Sequence, residues 1–112
     1  MMNQEIKQRW IDKLRSGEYI QGQGELKNHN GQFCCLGVLC EVYREDHPGV
    51  EWEPSTFEIG NCHDKFLECY GILPEQVSSW IGINDNQESL LMGMNDEQNK
   101  TFLEIANVIE GF

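Results

Sequence analysis

The sequence predicts an α+β domain, four or five short helices packed around a small antiparallel sheet, with a cysteine-rich helix at its centre. Three observations predict it. Cys35, Leu36, Leu39, Cys40, Val42 and Tyr43 are apolar almost all round a helix, the pattern of a segment buried on every side. Near each end of the chain, a stretch carries a one-sided apolar stripe at helical spacing. Between them, short glycine-rich or apolar runs bounded by turn signals read as strands.

Taken in order, Ile6, Trp10, Ile11 and Leu14 share one face of a helix between Asn3 and Ser16, and Gly17 supplies a C-terminal cap. Gly22 and Gly24 then disfavour helix and fit an extended strand, or a loop whose backbone comes close to something. Asn28-His29-Asn30-Gly31 is a turn signal, so Glu25–Lys27 and Gln32–Cys34 are expected to form a short hairpin leading into the central helix, Phe33–Arg44. Glu45 to Cys62 mixes prolines and glycines with charge and reads as a long surface loop, pinned to the core by Trp52, Phe57 and Ile59. His63 to Tyr70 is expected to be a short helix closed by Gly71. Pro74 in a first turn starts another helix, which runs through Trp80 and stops at Gly82. Asn84–Glu88 reads as a polar turn, and Ser89–Met94 as a buried strand ending in an Asx-type turn at Asn95-Asp96. Thr101 and Glu104 form a capping box for a last helix with the stripe Phe102, Ile105, Ala106 and Ile109.

At 112 residues the chain is expected to be one domain, 1–112. Such a chain buries roughly 65% of its unfolded surface. No apolar run approaches the ~18 residues of a membrane span, and MMNQEIKQRW lacks a signal-peptide core, so the expected location is the cytoplasm. Thiols stay reduced there, and five cysteines cannot all pair within one chain. The net charge is −11, and residues 49–112 hold nearly all of the excess, with two basic against twelve acidic side chains. Such a surface disfavours direct nucleic-acid and membrane contact and attracts basic protein partners.

Three constellations carry candidate chemistry. Gln21, Gly22 and Gln23, the helix start at Cys35 with Gly37, and Asn95-Asp96 would form a ligand pocket if they converge, because helix N-termini and glycine-backed amides bind anions. The plainer alternative is that these amides cap turns and the glycines permit tight packing. Cys34 or Cys35 with His29, His47 or His63 as base would make a cysteine hydrolase or transferase, Cys35 and His63 being the pair of choice. Against that stands the habit of cysteine to be a buried core residue. Cys34, Cys35, Cys40, Cys62, His63 and Cys69 contain no Cys-x-x-Cys pair, and phosphate-loop and dinucleotide fingerprints are absent, so neither metal nor cofactor is expected. Trp52 between Glu51 and Glu53 suits a basic protein partner.

The series LRSGEYIQGQGEL, FCCLGVLCEV, LPEQVSSWIGI and LMGMNDEQNKTFLEIANVIE resembles a family of small uncharacterised proteins from tailed-phage genomes, over most of the chain from Trp10 to Glu110. Gln21-Gly22, Cys35-Leu36-Gly37, Asn95-Asp96 and Thr101 together are similar, more distantly, to short bacterial domains of unknown function. The resemblance implies an accessory protein of the counter-defence or host-takeover kind. The leading expectation is a protein that binds rather than catalyses, sequestering a small nucleotide-like ligand in the cytoplasm of the infected host cell; the alternative is an acidic inhibitor that occupies a host protein, in one form a nucleic-acid mimic. The oligomeric state is open.

Overall fold

The computed structural model describes residues 2–24, 26–28, 30–47, 51–52, 56–59, 64–67, 73 and 75–112. Its first helix, α1, spans Gln4–Ser16: the Asn3 side chain accepts from the Ile6 amide at 3.0 Å, and Gly17 ends it at φ 78°. Both ends are thus set by residues whose chemistry favours those positions. One face, Ile6, Trp10, Ile11 and Leu14, is buried.

The central helix, α2, spans Cys35–Asp46, shifted two residues from the expected Phe33–Arg44. Every residue from Cys35 to Cys40 is buried, as are Val42 and Tyr43. Helices α3 (Glu75–Ile81), α4 (Asp85–Asp96) and α5 (Phe102–Glu110) follow. Helices α1, α3 and α4 pack on α2, while α5 lies against α1 and α4. Thr101 and Glu104 form the capping box of α5, whose apolar stripe is buried as its spacing requires.

The expected α+β arrangement is overturned: the core is built by five helices, and no sheet lies at its centre. Ser89–Met94, read as the buried strand, is the middle of α4, and the polar stretch read as a turn is that helix's start. Asn84 accepts from the Gln87 amide at 2.8 Å and donates its own amide to Gln87 Oε1 at 3.1 Å, a reciprocal cap that commits the chain to helix. The expected hairpin shrinks to isolated bridges, Gln21 with Phe33 and Lys27 with Phe33, because the chain enters α2 immediately afterwards. Outside the core lie three short strands, β1 (Glu51–Trp52), β2 (Thr56–Ile59) and β3 (Asp64–Leu67), paired antiparallel in chain order. They replace parts of the expected surface loop and of the expected His63–Tyr70 helix, and backbone pairing of Phe57 with Phe66 sets the register of the last two.

Charged side chains tie the helices together at the surface. Arg9 bonds Asp46 at 2.8 Å and Glu45 at 3.0 Å, joining α1 to the end of α2, and Lys13 meets Glu45 at 3.0 Å. Arg15 reaches Glu110 at 2.9 Å and Asn107 at 2.8 Å on α5. The buried Lys7 donates to the carbonyls of Glu110 at 3.3 Å and Phe112 at 3.1 Å, capping the end of α5 with a cation. Among the described residues, no helix is long and apolar enough to cross a membrane.

Candidate functional site

Helix α2 begins without a cap of its own, since the side chain of Cys34 at the N-cap position makes no capping bond. The cap comes from the last turn of α4. Asn95, fully buried, accepts the Cys35 amide on Oδ1 at 3.3 Å and the Gln21 side-chain amide on the same oxygen at 2.9 Å. Its Nδ2 donates to the Gly22 carbonyl at 2.9 Å and to Asp96 Oδ1 at 2.8 Å. Gln21 also donates to the Lys100 carbonyl at 2.7 Å, and Asp96 Oδ1 accepts the Gly24 amide at 3.0 Å. Gln23 bonds Asn99, whose φ of 53° turns the chain toward α5.

Two glycines make this approach geometrically feasible. A Cβ on Gly37 would run into the Leu26 carbonyl, which accepts the Cys34 amide at 3.2 Å. A Cβ on Gly22 would sit 2.8 Å from Gln32 Cβ. On its other side the helix start is held by Trp10, whose indole donates to the Cys35 carbonyl at 2.9 Å.

Of the seven residues expected around a ligand, the structure joins Gln21, Gly22, Cys35, Asn95 and Asp96 by hydrogen bonds to one another, while Gln23 bonds Asn99 and Gly37 packs on the Leu26 carbonyl. A primary amide offers two acceptor positions and two donors, and Asn95 uses all four within the protein. What the arrangement does chemically is satisfy buried backbone groups where three segments meet.

Among the described residues, the thiols of Cys34, Cys35 and Cys40 are sealed. Burial pushes Cys34 up to about 12 and drives Cys35 and Cys40 well above the usual thiol range, so no thiolate forms near neutrality. Cys35 Sγ lies 3.7 Å from the Leu91 carbonyl. His47 follows the other end of α2, roughly 18 Å away by helix rise. There its ring stacks on Tyr43 at 3.8 Å and meets the Trp80 edge at 5.6 Å. His29 and His63, the other candidate bases, lie outside the described residues, as do Cys62, Cys69 and Glu53 and the side chains of Glu51 and Trp52. Among the described residues, no group of three or more potential ligands gathers around a metal position.

A second feature is electrostatic. Residues 66–99 contain no Lys, Arg or His, and α3 and α4 carry Glu75, Asp85, Glu88 and Asp96, with Glu97 just beyond. Elsewhere, among the described residues, the cations are engaged internally: Arg44 pairs with Glu41 at 2.7 Å, Lys100 with Glu104 at 3.8 Å, and Lys27 lies over the Phe33 ring at 5.6 Å. Sequence reasoning saw the charge excess but not that part of it, Glu75, Asp85, Glu88 and Asp96, lies on two helices. The Asn84–Gln87 capping box was the signal that would have placed those acids on a helix.

Fold and site together define a small helical domain with sealed thiols, a self-satisfied polar junction and an acidic flank. The chain belongs to a family described as Domain of unknown function (DUF8296), whose model matches residues 2–112. No curated protein and no solved structure matches it.

Proposed function

We propose that the protein acts by binding, without catalysis, and that its acidic α3–α4 side receives a basic protein partner. The observation that carries this is that residues 66–99 contain no cation, while Glu75, Asp85 and Glu97 stand exposed on α3, on α4 and just beyond it. Exposed charges of one sign raise the encounter rate with a surface of the opposite sign and set its salt dependence. The buried Cys34 and Cys35, the candidate nucleophiles, are inaccessible, which supports binding over turnover by either thiol. With the resemblance to small tailed-phage proteins, the reading extends to an accessory protein that occupies a host protein during counter-defence or takeover. The test is the affinity for a partner captured from host lysate, measured at low and at physiological salt. A steep fall with salt, and loss of binding in Asp85→Lys/Glu97→Lys, is expected; an interaction indifferent to both overturns the reading.

A second reading, capture of a small nucleotide-like ligand, is favoured by the convergence of Gln21, Gln23, Asn95 and Asp96. It is supported less, because a ligand would have to displace bonds that the buried Asn95 already makes. Native mass spectrometry separates the two: a nucleotide-sized mass released on denaturation, and lost in Asp96→Ala, would favour capture.

A further inference from the structure

Helix α4 has two unlike faces. Leu91, Met94 and Asn95 point into the molecule, whereas Asn86, Ser89, Leu90, Gly93 and Glu97 follow one another at helical spacing along the outside. Leu90 is 46% exposed in the middle of that outer face. Beside it, Gly93 occupies the interior of a helix, where glycine is unfavourable by roughly 0.5–1 kcal/mol relative to alanine. Nothing among the described residues asks for it: a Cβ there would meet no atom within 4 Å, and its φ is not positive. Glu97 is out of place in a second way, because an exposed carboxylate sits at the carbonyl end of a helix whose last turn has no basic residue.

Both penalties would be relieved by the same thing outside the molecule. A second helix crossing at Ser89 and Gly93 would come close enough to cover Leu90, and cations on it would meet Asp85 at one end and Glu97 at the other. A second copy of this chain does not fit, since it would bring the same acids against these acids. We infer that the outward face of α4 is the docking site for a basic amphipathic helix of a partner protein. This rests on the acidic binding surface proposed above and says where on that surface the partner lies and in what form.

The probe is a synthetic peptide with a leucine and alanine seam flanked by lysine and arginine, compared with a scrambled peptide of the same composition, by titration calorimetry at low salt. The helical peptide is expected to bind at least tenfold more tightly than the scrambled one. Gly93→Leu should remove that preference without lowering the melting temperature, and Leu103→Ser, at the exposed leucine of α5, should leave it intact. If both peptides bind equally, or Gly93→Leu keeps the preference, the α4 site is wrong while the acidic surface stands, provided Asp85→Lys/Glu97→Lys still abolishes binding. Loss of the preference in Leu103→Ser also overturns the α4 site, because the contact is then elsewhere. If neither peptide binds the unmodified protein, both readings are overturned.

Discussion

Gly37 and Gly93 both lie inside helices, and their substitution is expected to act in opposite directions. At Gly37 the Leu26 carbonyl occupies the place of a Cβ, so Gly37→Ala must push a loop off the central helix and should cost at least about 2 kcal/mol. At Gly93 the space is open, so Gly93→Ala should stabilise by about 0.5–1 kcal/mol through helix propensity alone. Urea unfolding of the two variants measures both signs. Asn95→Ala removes an amide on which two donors and two acceptors depend, and should cost about 2–4 kcal/mol, because those groups remain buried. A variant of unchanged stability would mean that water or a ligand replaces the amide. At this scale the sequence was informative about position and less so about purpose. Asn95-Asp96 stood out as an Asx-type turn pair and Gln21-Gly22 as a backbone able to come close to something. That they would saturate one another depends on a distance between residues 21 and 95 that no local pattern encodes.

Among the elements, α4 shows how a helix passes for a strand. Leu90, Leu91, Met92 and Met94 form an apolar run too short for periodicity to decide, and the polar residues before it resemble a turn. The reciprocal bonds of Asn84 and Gln87 decide it, and the same signature was read correctly at Thr101 and Glu104. Helices α1 and α5 were legible because their stripes and caps agree, and the expected hairpin survives in short form, with the antiparallel Lys27–Phe33 bridge flanked by the Asn28–Gln32 and Cys34–Leu26 backbone bonds before α2 begins. Inside α4, Glu88 accepts the Leu73 amide at 2.9 Å, yet burial holds its carboxyl above the usual range, with Asp85 adding to the shift. A raised carboxyl destabilises the fold when ionised, and the penalty disappears as pH falls through its folded value. Glu88→Gln keeps an acceptor for Leu73 and should raise the melting temperature at neutral pH, with the gain shrinking in acid. Thermal scans across that range test the sign.

Across the whole molecule, α1 acts as a bracket whose cations hold the ends of α2 and α5. Asp46 and Glu110 are held below the usual carboxylate range by hydrogen bonds from Arg9 and Arg15 respectively. Burial works against Glu45, but hydrogen bonds from Lys13 and Arg9 outweigh it. Groups with depressed values contribute stability above their unfolded pKa of about 4 and lose it as pH falls through the folded one. The melting temperature should therefore drop in acid, less steeply in Arg15→Gln, where the Glu110 contribution is already gone; equal slopes would show that Arg15 and Glu110 are too well solvated to matter.

The cap on α2 has a consequence in time. Asn95 lies 60 residues after the amide it satisfies, so a growing chain makes the central helix long before it makes the group that completes it. Until then the first turn must be held by water or by a chaperone. The transition state for refolding should form without this bond, so that Asn95→Ala accelerates unfolding and leaves the refolding rate nearly unchanged in stopped-flow measurements. A slowed refolding arm would instead mean that α4 reaches the start of α2 early, and that the two ends of the chain meet before its middle is settled.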